Sequence, residues 1–189
     1  MQVLAENNEK SSLRRLLLQK RDILSDDFMT IASRQIRRNL KKIEAYRTAE
    51  SIACYYSIGS EVKTGSIIQD ILTDGKTLSL PRIDGGNMIF CNVKSFDDLE
   101  KNELGIMEPK KTCPQVHRFD VVLVPAVAMT KDGRRLGYGM GFYDRFLAKT
   151  EAVTIALAYS KLVVRNIPTT DGDISIQWVV TEDDAIKTS

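Results

Sequence analysis

Apolar positions near the start of the chain recur at helical spacing. Leu13, Leu16, Leu17 and Leu24 are interleaved with basic residues over 11–24, and this predicts a first helix. Ser25, Asp26 and Asp27 read as a cap for a second helix, with Phe28, Ala32, Ile36, Leu40 and Ile43 on one face. The period then changes. Residues 51–56 form a short apolar run of strand length; 60–72 read as a helix closed by Gly75. Strands are predicted over 77–83 and 88–93, joined by a turn at Gly85, Gly86 and Asn87. Residues 97–117, containing Pro109 and Pro114, read as loop. The continuous apolar run 119–125 is of the kind buried on both sheet faces, and 153–159 repeats it. Between them lie a polar glycine-rich loop over 130–141 and a helix over 142–149; a last short strand is expected at 178–181. Strands alternating with helices imply one α/β domain spanning 1–189. Its sheet would be mostly parallel with helices on both faces, a Rossmann-like three-layer arrangement carrying the basic helices of 10–47.

Composition narrows the chemistry. The 189 residues include 27 Lys plus Arg, 25 Asp plus Glu, one His and three Cys, for a net charge of +2. Cys54, Cys91 and Cys113 are odd in number and widely spaced, so neither a disulfide framework nor a CxxC site is indicated, and a reducing compartment is expected. With His117 alone, a multi-histidine zinc site or a Ser-His-Asp site has little support. The longest apolar run, 121–129, falls far short of the ~18–20 residues that cross a bilayer. The first residues lack the apolar core of a signal peptide, so a cytoplasmic protein without a membrane partner is expected. Basic residues outnumber acidic ones 11 to 7 over positions 1–50. Arg34, Arg37, Arg38, Lys41 and Lys42 could form a nucleic-acid face, but Asp22, Asp26, Asp27 and Glu44 dilute it and a solvated helix surface is the commoner explanation. A monomer without a nucleic-acid partner is expected.

The segment 132–147, DGRRLGYGMGFYDRFL, carries the most chemistry. It leaves a buried strand and enters a helix, where unpaired backbone N–H groups collect. Gly133, Gly137, Gly139 and Gly141 allow close backbone approach to a ligand, and Arg134 and Arg135 add positive charge. The combination reads as an anion cradle suited to a polyphosphate, although it is neither a Walker A loop nor a dinucleotide fingerprint. A long turn that merely needs glycine is the plainer alternative. Asp144, just after the loop, either stabilises the helix start or holds Mg²⁺ beside phosphates, with Asp171 or Asp173 as a second carboxylate. Glu61 follows the first strand, at the end where parallel sheets place ligands, where a carboxylate could accept hydrogen bonds from a ligand's N–H groups; an exposed acid opening a helix is the plainer alternative. Tyr55 and Tyr56 read as core, and His117 and Cys113 as structural. A sugar-phosphate isomerase or deaminase on a related scaffold stays open at this point.

LGYGMGFYDRFL, preceded by DVVLVPAVAM and TKDGRR, closely resembles the signature of the 5-formyltetrahydrofolate cyclo-ligase (methenyltetrahydrofolate synthetase) family. Lys10 to Arg14 (KSSLR), Glu61 to Thr64 (EVKT), Leu104 to Pro109 (LGIMEP) and Val179 to Glu182 (VVTE) resemble its other segments in order. The resemblance implies ATP- and Mg²⁺-dependent conversion of 5-formyltetrahydrofolate to 5,10-methenyltetrahydrofolate, with ADP and phosphate released. It also implies that ATP meets Lys10, Arg14 and the loop residues Arg134, Arg135, Leu136, Gly137, Tyr138, Gly139, Met140, Gly141, Phe142 and Tyr143. Folate would contact Ile58, Glu61, Lys63, Tyr138, Gly139, Met140, Gly141 and Phe142, and Mg²⁺ would be held by Asp144 and Asp173. Lys63 stands where the family usually has an acid, Lys161 where it has glutamine, Gln177 where aspartate is common, Gly172 where histidine is common, and Met129 where an aromatic residue is more usual.

Overall fold

The computed structural model describes residues 2–188. Helices α1 (Gln2–Asp22), α2 (Asp26–Leu40) and α3 (Glu44–Thr48) precede strand β1 (Ser51–Ala53). Helix α4 (Gly65–Thr73) leads to the hairpin β2 (Thr77–Asp84) and β3 (Asn87–Val93). The short strands β4 (Leu99–Lys101), β5 (Met107–Pro109) and β6 (Gln115–Val116) follow, then β7 (Val121–Pro125). The hairpin β8 (Ala128–Met129) and β9 (Arg135–Leu136) runs into α5 (Phe142–Leu147), and β10 (Val153–Leu157), β11 (Trp178–Val180) and β12 (Ala185–Lys187) close the chain.

Eight strands form one sheet in the order β12-β11-β10-β7-β1-β2-β3-β6. The five from β11 to β2 are parallel, and antiparallel strands extend both edges. Within the parallel part, chain order reverses between β1 and β7, so a crevice opens beyond the carboxyl ends of those two strands. All five residues of β7 are buried. Val121 and Leu123 pack with α2 and α4, whereas Val122 and Val124 pack with Leu147 and Phe146 of α5. The three-layer expectation therefore holds, with unequal layers: α1 to α4 pack on one face and the short α5 on the other.

Several elements depart from the sequence reading for local reasons. The first strand ends at Ala53 rather than 56 because Ser57 and Thr64 lock the chain into a loop. Ser57 N donates to Thr64 Oγ1 (3.0 Å), Thr64 N to Ser57 Oγ (3.2 Å), and Thr64 Oγ1 to Tyr55 O (2.7 Å). The same lock delays α4 to Gly65. Residues 97–117 are not wholly loop. Asn102 Oδ1 accepts from both Leu104 N and Ile106 N (3.0 Å each), which folds the tip of the β4/β5 hairpin. The register Ser51↔Thr77 to Ala53↔Ser79 leaves the outer half of β2 beyond β1, paired only with β3. That projecting hairpin becomes a wall of the crevice.

Arg37 and Lys41 both pair with Asp70, joining α2 to α4. The Arg37 hydrogen bond holds the Asp70 carboxyl below its ordinary value despite burial. A depressed carboxylate stabilises the fold above its unfolded pKa, and that contribution is lost as pH falls through the folded one. Asp70→Asn should therefore cost about 0.5–1 kcal/mol at neutral pH. The difference from the parent should shrink below about pH 4, as read by urea unfolding across pH.

Candidate active site

The crevice between β1 and β7 is a cleft of about 500 Å³. Its floor holds Tyr55, Glu61 and Pro125; one wall holds Pro81, Ile83 and Met88 from the β2/β3 hairpin with Leu104 and Ile106 from the β4/β5 tip; the glycine loop, Gly137 to Tyr143, forms the other. The lining is largely apolar, with a few converging polar groups, the usual make-up of a small-molecule site.

Glu61 is 4% exposed, and both carboxylate oxygens are engaged. Ile58 N donates to Oε2 (2.8 Å) and the Tyr138 hydroxyl to Oε1 (2.6 Å). Burial raises its pKa above the ordinary value, while those two bonds and the charge of Arg21 oppose the shift. Burial, reinforced by Glu61, also pushes the Tyr138 phenol up, so that it stays a proton donor. Arg21 lies behind Tyr138 and is likewise 4% exposed. It donates to the Tyr138 hydroxyl (2.7 Å), to Ser60 Oγ (2.9 Å) and to Ala126 O (3.3 Å).

The glycine loop is braced by one stripe of α1. Lys10, Arg14, Leu17 and Arg21 follow a 4-3-4 spacing, which places them on a single helix face. Lys10 pairs with Asp173, Arg14 Nε donates to Gly137 O (2.7 Å), Leu17 packs into the core and Arg21 meets Tyr138. On the opposite side Arg135, 8% exposed, donates to Pro125 O (3.3 Å) and to Asp144 Oδ1 (2.8 Å). Its Nε and the Tyr143 hydroxyl are buried without partners among the described residues. Among the described residues, the amides of 138–141 donate to no protein acceptor. Because α5 has only six residues, the positive character here comes mainly from side chains and loop amides. Two glycines are constrained sterically. A Cβ on Gly137 would lie 2.6 Å from Arg135 Nη1, and one on Gly139, at φ +97°, would press on the Arg14 guanidinium at 3.2 Å.

The structure thus brings together in one cleft Ile58, Glu61, Asp144, Arg135 and the loop residues Gly137 to Tyr143. Lys10 and Arg14 approach from behind the loop. Leu136 is fully buried in the core. Arg134 turns outward to Asp132 and Asn166, and Lys63 donates to Thr30 Oγ1 (2.9 Å), so neither lines the cleft. Asp173 is engaged by Lys10 and by Thr170 N (2.7 Å), which hold its carboxyl below its ordinary value against the effect of burial. No group of three or more metal-ligating side chains occurs among the described residues. Arg21 was missed by the sequence reading, and its place on the stripe with Lys10 and Arg14 is the signal that could have found it. His117 lies in a polar groove at the opposite end of β7.

A cleft at the strand ends, with a cationic loop on one side and a buried acceptor on its floor, defines an α/β enzyme acting on small molecules. The sequence profile described as the 5-formyltetrahydrofolate cyclo-ligase family matches residues 6–182. An Escherichia coli (strain K12) 5-formyltetrahydrofolate cyclo-ligase is 30% identical over 177 residues, covering 88% of this chain and 96% of the relative. The mouse 5-formyltetrahydrofolate cyclo-ligase is 27% identical, with 97% and 98% covered. An NMR structure of Aquifex aeolicus 5,10-methenyltetrahydrofolate synthetase superposes with a TM-score of 0.84 at 32% identity, covering 94% of this chain and 92% of that one. The chain belongs to the 5-formyltetrahydrofolate cyclo-ligase family, and with it to the ligases.

Gly137→Ala should displace Arg135 and break its approach to Asp144. Gly137 has an ordinary backbone conformation, so the damage should be local. Turnover should fall at least about tenfold, a loss of ~1.4 kcal/mol in the barrier, while the thermal midpoint shifts by only a few degrees.

Proposed function

We propose that this protein cyclises 5-formyltetrahydrofolate to 5,10-methenyltetrahydrofolate using ATP and Mg²⁺, releasing ADP and phosphate. The observation that carries this reading is that Tyr138, in the middle of the glycine loop, donates directly to Glu61 on the cleft floor. One cleft thereby offers a phosphate cradle and a buried acceptor within a single side chain of each other. In this reading the loop amides with Lys10, Arg14 and Arg135 receive the ATP phosphates. Glu61 accepts N–H groups of the pterin ring, and the apolar wall from Pro81 to Met88 receives the flat body of the folate.

The chemistry suits these residues. A formamide carbon is a weak electrophile, and its oxygen leaves poorly. Attack of the formyl oxygen on the γ-phosphorus breaks the bond to ADP and makes that oxygen part of a phosphate. N10 then adds to the formyl carbon and loses its proton, and the C–O bond breaks as phosphate departs. The protein's tasks are to orient both substrates and to neutralise phosphate charge. The cations and amides of the loop do this without a covalent nucleophile. Tyr138 keeps Glu61 turned toward the ring, and the apolar wall limits water at the formyl carbon that carries the phosphorylated oxygen.

Mg²⁺ fits the donor set in a restricted way. Asp144 lines the cleft and, among the described residues, its carboxylate pairs with Arg135 through one oxygen, so it can give the other to a cation shared with phosphates. Asp173 would have to exchange Lys10 for the cation. When bound, Mg²⁺ would supply charge neutralisation on the phosphates. Lys63 and Arg134 keep a part in this proposal only through rearrangement on binding, since both point away from the cleft.

The direct test mixes protein, 5-formyltetrahydrofolate, ATP and Mg²⁺ and follows the conjugated methenyl product in the near ultraviolet beside ADP. Product in step with ADP, abolished by omitting ATP or metal, is expected; ATP hydrolysis without product would defeat the assignment. Asp144→Asn should raise the Mg²⁺ concentration for half-maximal rate about tenfold or more, equivalent to ~1.4 kcal/mol. An unchanged metal titration would remove Asp144 from the ligand set.

A further inference from the structure

We propose that Arg21 is a positioning residue for the folate subsite, holding the Tyr138 hydroxyl so that it presents Glu61 as an oriented, ionised acceptor. The inference rests on the reading that Glu61 receives the folate ring. Arg21 touches neither substrate in that reading and acts through Tyr138.

Arg21 is a buried guanidinium whose hydrogen-bond partners among the described residues are a hydroxyl, a carbonyl and a phenol, with no carboxylate of those residues bound to it directly. A buried cation is costly unless its charge is answered nearby. Here the answer arrives through two relays. Ser60 Oγ accepts from Arg21 and donates to Asp22; the Tyr138 oxygen accepts from Arg21 and donates to Glu61. The relay through Tyr138 has a direction. A phenol whose oxygen accepts from a cation is a stronger donor, because charge-assisted and chained hydrogen bonds reinforce one another. The guanidinium also lies 5.5 Å from the Tyr138 ring centre, which restrains the ring in addition to its hydroxyl.

Glu61 needs such help. It is nearly sealed, and four phenols surround it: Tyr55 beyond β1, Tyr138 in the loop, Tyr143 in α5 and Tyr159 beyond β10, whose hydroxyl donates to the Glu61 carbonyl (3.0 Å). Glu108, Arg135 and Asp144 line the same cleft, and Arg21 is the cation whose charge opposes the effect of burial on Glu61. With the cation removed, burial acts on Glu61 with less opposition and the acid takes up a proton at higher pH. A protonated Glu61 would present one acceptor fewer to the ring. The Tyr138 hydroxyl, freed from Arg21, would also be free to rotate away.

The test compares the parent with Arg21→Met, Arg21→Lys, Tyr138→Phe, Glu61→Gln and the Arg21→Met/Tyr138→Phe double variant. Each is assayed for methenyl product with either substrate varied, across pH, with a thermal melt as the check on folding. Arg21→Met should raise KM for 5-formyltetrahydrofolate at least about tenfold, the loss expected when a charge-assisted hydrogen bond is removed, and change KM for ATP less than about threefold. The acidic limb of its folate kcat/KM profile should move to higher pH, and Arg21→Lys should restore that limb by returning the charge. In the Tyr138→Phe background Arg21→Met should add little, because the two act as one unit. Equal loss for both substrates with an unmoved acidic limb would overturn the proposal and leave Arg21 a packing residue. Should Arg21→Met fail to fold, Tyr138→Phe against Arg21→Lys carries the same comparison of limb and KM. A parent that makes product while Glu61→Gln keeps the parent's folate KM would instead defeat the assignment of Glu61 to the ring.

Discussion

The cleft depends on how one helix face grips one loop. Glycine-rich segments gain close approach to a ligand at the cost of conformational entropy, so a loop such as 137–141 holds a single shape only when something outside it does the holding. Here the brace is α1, whose Arg14 captures the Gly137 carbonyl and whose Arg21 captures the Tyr138 hydroxyl. Leu17, between them on the same stripe, sinks into the core and fixes the helix at the depth those contacts need. Arg135 braces the loop from the other side through Pro125 and Asp144. The basic residues of α1 therefore serve the interior of the site as much as its charge.

This arrangement suits a reaction in which two substrates must be held in register and the protein forms no bond of its own. Phosphoryl transfer rewards positioning and charge neutralisation. Side chains often recruited as nucleophiles stand apart from the cleft: Cys54 and Cys91 are buried, the half-buried Cys113 is not among the lining residues, and His117 sits at the far end of β7. Tyr138 is the contact at which the two halves of the cleft meet, a loop residue bonded to a floor residue. Anything that shifts the loop on one side is felt at the carboxylate on the other.

Much of the layout is legible in the sequence, and the rest is hidden for identifiable reasons. The buried strands β7 and β10 announce themselves as unbroken apolar runs, and α2 as an apolar face behind an Ser25 cap that the structure confirms, Phe28 N donating to Ser25 Oγ at 3.2 Å. The glycine loop is legible because its residue types have few other uses together. Segments such as β4, β5, β6 and β12 have two or three residues each and owe their form to partners distant in sequence, so no local period marks them. The loop that delivers Glu61 is built by the Ser57–Thr64 exchange, whose partners are seven positions apart and resemble an ordinary helix start. Arg21 is the instructive omission: a basic residue in a basic helix looks solvated until Tyr138 and Ser60 are seen to close over it. Among the family departures, Gln177 is structural in this chain, its Oε1 accepting from Thr154 N at 2.9 Å, and Lys161 lies over the Phe28 ring at 4.2 Å.

The proposed seat of the nucleotide phosphates is the loop braced by α1, and amide hydrogen exchange of the parent protein, with and without a non-hydrolysable Mg·ATP analogue, tests it. Amides of 136–143 should slow on binding, together with those of the facing stretch of α1 around 10–21. Protection confined to the groove lined by His117, Arg118 and Lys149, with the glycine loop unchanged, would contradict it.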